Sequence, residues 1–157
     1  MRAPYLFFLG IIIPLSILFV ACESDTYPVL AEFVPANACW EISDTLTFEG
    51  NLSALGVSIE RKLDYDYQNI YIKALATDEA GKEIEWMKNL KVLSPGGEWL
   101  DFEKGSDGVR KKMGDTYRIV HPIAFEDFTP TKISLFHFMR EASLCGVTHV
   151  KLVDLEK

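Results

Sequence analysis

From Trp40 onward, apolar and polar residues alternate in short runs rich in Ile, Val, Tyr, Phe and Thr, broken by Gly, Asp, Asn and Pro. A period of two is the signature of strands that bury one face and wet the other. Leu46 and Phe48 alternate with Thr45, Thr47 and Glu49, and Val57 and Ile59 with Ser58 and Glu60. Ile70, Ile72, Ala74 and Ala76 share one parity; after the turn residues Asp78-Glu79-Ala80-Gly81, so do Ile84, Trp86, Leu90 and Val92, which predicts a hairpin with Trp86 inward. Ser94-Pro95-Gly96-Gly97 is a strong breaker ahead of the short apolar run from Trp99 to Phe102. The polar stretch Glu103 to Gly114, with its cluster Arg110, Lys111 and Lys112, reads as a mobile, solubilising loop.

Tyr117, Ile119, His121, Ile123 and Phe125 form the face of the next strand, where Pro122 predicts an edge or bulge position. Between Ile133 and Arg140 both parities are largely apolar, which predicts a strand covered on both sides. Glu141 to Gly146 turns the chain, and Val147 to Leu155 closes it with Val150 and Leu152 inward. About eight strands, no internal repeat and no long amphipathic helix predict an antiparallel β-sandwich.

The beginning of the chain obeys different rules. Arg2 precedes an uncharged apolar run from Tyr5 to Val20, and Phe19-Val20-Ala21-Cys22 has the form of a lipobox. Residues 1–21 are expected to be a signal peptide, with Cys22 as the lipidated residue; Gly10 and Pro14 disfavour an uncleaved membrane helix. Residues 22–39 are expected to be a lipidated tether that becomes ordered towards its end, and 40–157 the sandwich domain. A lipoprotein cysteine carries more than one acyl chain, and two chains anchor a protein stably where one holds it marginally. The chain of 157 residues has a net charge of −7, and losing Arg2 with the leader makes the balance more acidic still. Such a surface disfavours nucleic acid and leaves membrane attachment to the lipid.

The residue chemistry offers no catalytic constellation. His121, His137 and His149 have no second His or Cys at ligand spacing, so no metal is expected, and His137 reads as a hydrogen-bonded core histidine. Asp64 and Asp66 lack the glycine and further oxygens of a calcium loop. No GxSxG setting and no phosphate-cradling glycine run is present, and neither a cofactor nor a small-molecule substrate is expected. Cys39 and Cys145 have no CxxC spacing. Outside the cytoplasm they are candidates for one disulfide, with two buried small hydrophobes as the simpler reading. Tyr65, Tyr67 and Tyr71, with Trp40, Trp86 and Trp99, serve either core packing or a sugar-stacking surface; Trp99, after its Pro-Gly-Gly turn, is the expected exposed ring and a candidate interface residue. Arg140 is either an interface residue or a buried partner for a carboxylate, and the structural role is the favoured one.

Several ordered pieces resemble the gliding-motility lipoprotein GldH family of Bacteroidetes: Cys22; Trp40 with Asp44-Thr45-Leu46-Thr47-Phe48; Tyr67-Gln68-Asn69-Ile70-Tyr71-Ile72; Ser94-Pro95-Gly96-Gly97-Glu98-Trp99-Leu100; and Ile133 to Leu152 with His137-Phe138-Met139-Arg140 and Leu144-Cys145-Gly146-Val147. The resemblance implies a lipid-anchored envelope protein, expected in the outer membrane. It implies protein partners in gliding machinery linked to type IX secretion, and no enzymatic activity. A surface lipoprotein that binds glycans is the competing expectation. Coplanar exposed rings would favour the glycan binder, and an apolar or charged patch spanning several strands the assembly component.

Overall fold

A computed structural model describes residues 27–50, 54–98, 100 and 108–156; Cys22, the leader and Trp99 lie outside the described residues. Among the described residues eleven strands are present: β1 (Val29–Phe33), β2 (Cys39–Glu41), β3 (Leu46–Glu49), β4 (Leu55–Lys62), β5 (Asn69–Thr77), β6 (Glu83–Lys91), β7 (Val109–Met113), β8 (Thr116–Ile123), β9 (Lys132–His137), β10 (Ser143–Cys145) and β11 (Val147–Asp154). They form an antiparallel sandwich of a five-stranded sheet, ordered β1-β11-β4-β8-β7, and a four-stranded sheet, ordered β3-β9-β5-β6, with β2 and β10 as a separate two-stranded ribbon. The expected fold class is therefore the observed one.

The count exceeds the expected eight because short strands carry too few alternations to register as a period. β1 lies inside the stretch expected to be tether, and β10 inside the expected turn. β7 occupies the end of the expected loop, and its three cations do not share one environment. Arg110 is buried and its Nε donates to the Lys91 carbonyl at 2.7 Å, tying β7 to the other sheet, whereas Lys111 and Lys112 are exposed. Gly108 admits β7 beside β8: its φ is +84°, and a Cβ there would stand 2.0 Å from the Val120 carbonyl oxygen.

The predicted hairpin is β5–β6, in register from Asn69 opposite Lys91 to Thr77 opposite Glu83. Its turn is built on Asp78, whose carboxylate accepts from the backbone N–H groups of Ala80 and Lys82 at 2.9 and 2.8 Å. Pro122 lies beyond the last β7 partner of β8, at Val120, so its missing N–H falls where the sheet has an edge among the described residues.

Side chains of one parity from both sheets fill the interior: Val57 and Ile59 of β4, Ile119 of β8, Val150 and Leu152 of β11, against Ile70 and Ile72 of β5 and Ile133 and Leu135 of β9. Arg61 shares the inward parity of Val57 and Ile59, yet it is fully buried. Its guanidinium lies 4.9 Å from the Tyr65 ring and 5.0 Å from the Tyr117 ring, and Nη1 donates to the Lys62 carbonyl at 2.8 Å. Burial lowers its pKa to about 10, a value that keeps it charged at neutral pH, and the aromatic faces offset part of the desolvation. On the outer side of the same sheet Glu60 gathers Arg118 at 2.9 Å, His149 at 3.5 Å and Lys151 at 3.6 Å. That network covers part of the outer face of β4, while the Leu155 side chain lies against Gly56 at its start.

Cys39 and Cys145 are directly opposite in the β2–β10 ribbon and are joined by a disulfide. The reading of two buried hydrophobes is corrected, because Cys145 is exposed and Cys39 half-buried. The ribbon turns Trp40 into the core, where it meets His137 edge-on at 5.3 Å. His137 is fully buried, as expected, and its Nδ1 faces the Met139 N–H at 3.5 Å.

Two measurements test these anchors. The disulfide closes a loop spanning 106 positions. Reduction, or Cys145→Ser, is expected to lower the unfolding free energy by about 2–5 kcal/mol, read from the urea midpoint with and without reductant. For His137, burial lowers the pKa below the ordinary 6.5, against the opposing pull of the Trp40 backbone and the carboxylates of Glu41 and Asp44. The unfolded chain therefore takes up the proton first. The stability that neutral His137 contributes is complete above pH 6.5 and is lost as pH falls below it. His137→Gln is expected to flatten the stability profile below pH 6.5, and an unchanged slope would assign the effect to other groups.

Candidate functional site

The outer face of the four-stranded sheet carries apolar side chains on the parity that faces water. On β5 this parity holds Tyr71 and Lys73, and on β6 it holds Glu85, Met87 and Asn89; cross-strand register sets Tyr71 beside Asn89 and Lys73 beside Met87. On the other side of β5, Lys73 is opposite Phe136, and the chain leaving β9 continues the row with Phe138. Tyr71, Met87 and Phe138 are 38, 57 and 53% exposed. These are large fractions for apolar groups on adjacent strands, and contiguous apolar exposure of this kind marks an interaction surface.

Together with Tyr67 and Met139, and with Arg140 and Glu141 at the rim, these residues line a groove of about 540 Å³. The backbone holds it open in a defined shape. Phe138 N–H donates to the Tyr71 carbonyl at 2.8 Å, and Tyr71 N–H donates to the Met139 sulfur at 3.2 Å, so residues 138 and 139 pair with β5 just past the end of β9. Asn89 donates to the Tyr71 hydroxyl at 3.0 Å and accepts from Asn69 at 2.9 Å, which orients the ring. Lys73 lies 5.4 Å from the centre of the Phe138 ring and pairs with Glu85 at 2.8 Å. Desolvation, then the carboxylates of Glu141 and Asp66, hold the Tyr67 phenol above its ordinary pKa, so it stays a neutral hydroxyl at physiological pH. The result is an apolar floor with a polar and charged rim, the anatomy of a modest protein interface.

A larger cleft, about 680 Å³, lies at the hairpin turn and is lined by Asp78, Glu79, Lys82 and Asp127 among others. The Asp78 carboxylate is already engaged by the turn it builds. Among the described residues no group of three or more His, Cys, Asp or Glu is placed to hold a metal ion.

The sequence-derived candidates fare differently. Arg140 is exposed on the groove rim, which overturns the favoured reading as a buried partner for a carboxylate. Of the aromatic residues weighed for stacking, Trp40 and Tyr65 belong to the core and Trp86 is half-buried beside His121 at 5.9 Å, while Tyr67 and Tyr71 reach the groove. The strand expected to be covered on both sides is central in its sheet, yet its second face is open: Phe136 is half-buried and Phe138 exposed. Met87 was visible in the sequence only as an apolar residue on the polar parity of Glu83, Glu85 and Lys91, and Phe138 only as part of a run apolar on both parities. Cys22 and Trp99 fall outside the described residues.

No curated protein and no solved structure matches the chain. The model of the GldH lipoprotein family matches residues 29–152. With that match running from the first residue of β1 into β11, across both sheets, the ribbon and every residue of the groove, the chain belongs to the GldH lipoprotein family.

Proposed function

We propose that this protein is a lipid-anchored, non-catalytic component of a gliding-motility assembly associated with type IX secretion. In this reading it is held in the outer membrane through Cys22 and docks a protein partner through the groove on its four-stranded sheet. Membership of a gliding-motility-related lipoprotein family supports the setting. The observation that carries the docking role is the exposed apolar floor of Tyr71, Met87 and Phe138 between charged rims.

The test is a cross-linked affinity pull-down of the tagged full-length chain from native envelopes, beside Phe138→Glu and Cys22→Ala versions. Gliding or secretion proteins are expected to co-purify with the parent chain. Burying a carboxylate in the apolar floor is expected to lower their recovery by about tenfold or more. The Cys22→Ala chain is expected to leave the membrane fraction and lose them. Recovery of no protein partner, with retention on envelope polysaccharide that Phe138→Glu abolishes, would overturn the assembly role in favour of glycan binding.

A further inference from the structure

Among the described residues β6 has no strand on its outer side, so this nine-residue strand ends the four-stranded sheet with a row of backbone groups that no strand pairs, of which the Lys91 carbonyl already accepts from Arg110 Nε at 2.7 Å. Such a row is a template for another strand. The other sheet edges are blunted in recognisable ways. β3 has four residues, β7 exposes Lys111 and Lys112 within five, and β1 carries a register shift between Val29 and Ala31. β6 carries charges of its own at Glu83, Glu85, Lys88 and Lys91, but it contains neither Gly nor Pro, and its pairing with β5 runs without irregularity.

Laid antiparallel against a second copy and centred on Met87, β6 is complementary to itself. Directly opposed residues share a face in an antiparallel pair. On the outer face this register sets Glu83 against Lys91 and Glu85 against Asn89; on the inner face it sets Ile84 against Leu90 and Trp86 against Lys88. Symmetry makes two Glu83–Lys91 pairs and no like-charge pair. The neighbouring registers are worse. Centring on Lys88 opposes it to its own copy, a like-charge contact that destabilises a sheet, and centring on Trp86 leaves Glu83 opposite Asn89 and Glu85 opposite Met87, with no ion pair. Met87, the most exposed large apolar side chain of the groove, would stand on the axis and be covered by its counterpart.

We propose that two copies of this chain associate through β6, antiparallel, with Met87 on a twofold axis, joining their four-stranded sheets into one continuous sheet. The pairing is isologous and closed, so it consumes the β6 edge of both copies and leaves none for open-ended addition. It goes beyond the docking role: Met87 is taken up at the axis, while Tyr71 lies one strand in and Phe138 a further strand in, so the Tyr71–Phe138 part of each groove remains open on one shared outer face.

Oxidative cross-linking of the full-length chain in its own envelope membranes tests the register. Cys39 and Cys145 are already bonded to each other, so a new exposed thiol reports on its own neighbourhood. Met87→Cys treated with copper phenanthroline is expected to give a covalent dimer on a non-reducing gel. Glu83→Cys is expected to give none, since eight residues of strand, about 27 Å, would separate it from its copy. Adding Glu83→Lys to the Met87→Cys chain is expected to abolish the dimer, and adding Lys91→Glu as well to restore it, because the charge pair is then reversed. Phe138→Glu leaves the dimer intact, which separates this outcome from failure of the docking role. No dimer from Met87→Cys, an equal yield from Glu83→Cys, or a dimer indifferent to Glu83→Lys would overturn the proposal.

Discussion

The covalent closure of β2 onto β10 is the constraint on which the working parts of this molecule depend. The pairs Cys39–Cys145, Trp40–Leu144 and Glu41–Ser143 form a ribbon too short to be stable by itself. The disulfide holds it, and two consequences follow. Trp40 is turned into the core against His137, fixing the end of β9, and the Ala142 carbonyl accepts from Ile42 N–H at 2.7 Å, fixing the start of β10. The segment between these two fixed points carries Phe138, Met139, Arg140 and Glu141, so the groove owes its shape to a cross-link on the far side of its own loop.

The two sheets divide the labour of burial and recognition. The outer face of the five-stranded sheet carries Glu60 with Arg118, His149 and Lys151, and Lys151 also pairs with Glu32 at 3.3 Å. The outer face of the four-stranded sheet leaves apolar groups uncovered, and its β6 edge carries no strand among the described residues. An interaction surface on the second sheet therefore needs no rearrangement of the first. Membership of the GldH lipoprotein family fits such a body, in which a rigid sandwich presents one face from a membrane anchor.

The sequence by itself determined the fold class. Alternation in β4, β5, β6, β8 and β11 is strong because one face of each strand must be apolar to close a core, so the pairing parity and the inward residues Ile72, Ile119, Val150 and Leu152 were legible from spacing alone. It also marked the turn at Asp78, the buried His137 and, through several short pieces in order, the family. Only the tertiary structure decided the rest. A three-residue strand such as β2 or β10 has no period to read, and the bond between Cys39 and Cys145 depends on two segments 106 positions apart arriving in register. Arg61 and Arg110 are written as ordinary cations, and only packing shows that one lies between two tyrosine rings and the other reaches the opposite sheet. The sequence recorded Met87 as an apolar residue on a polar parity and Phe138 as part of a run apolar on both; that they meet across β5 to floor one groove follows from strand order, which no local pattern encodes.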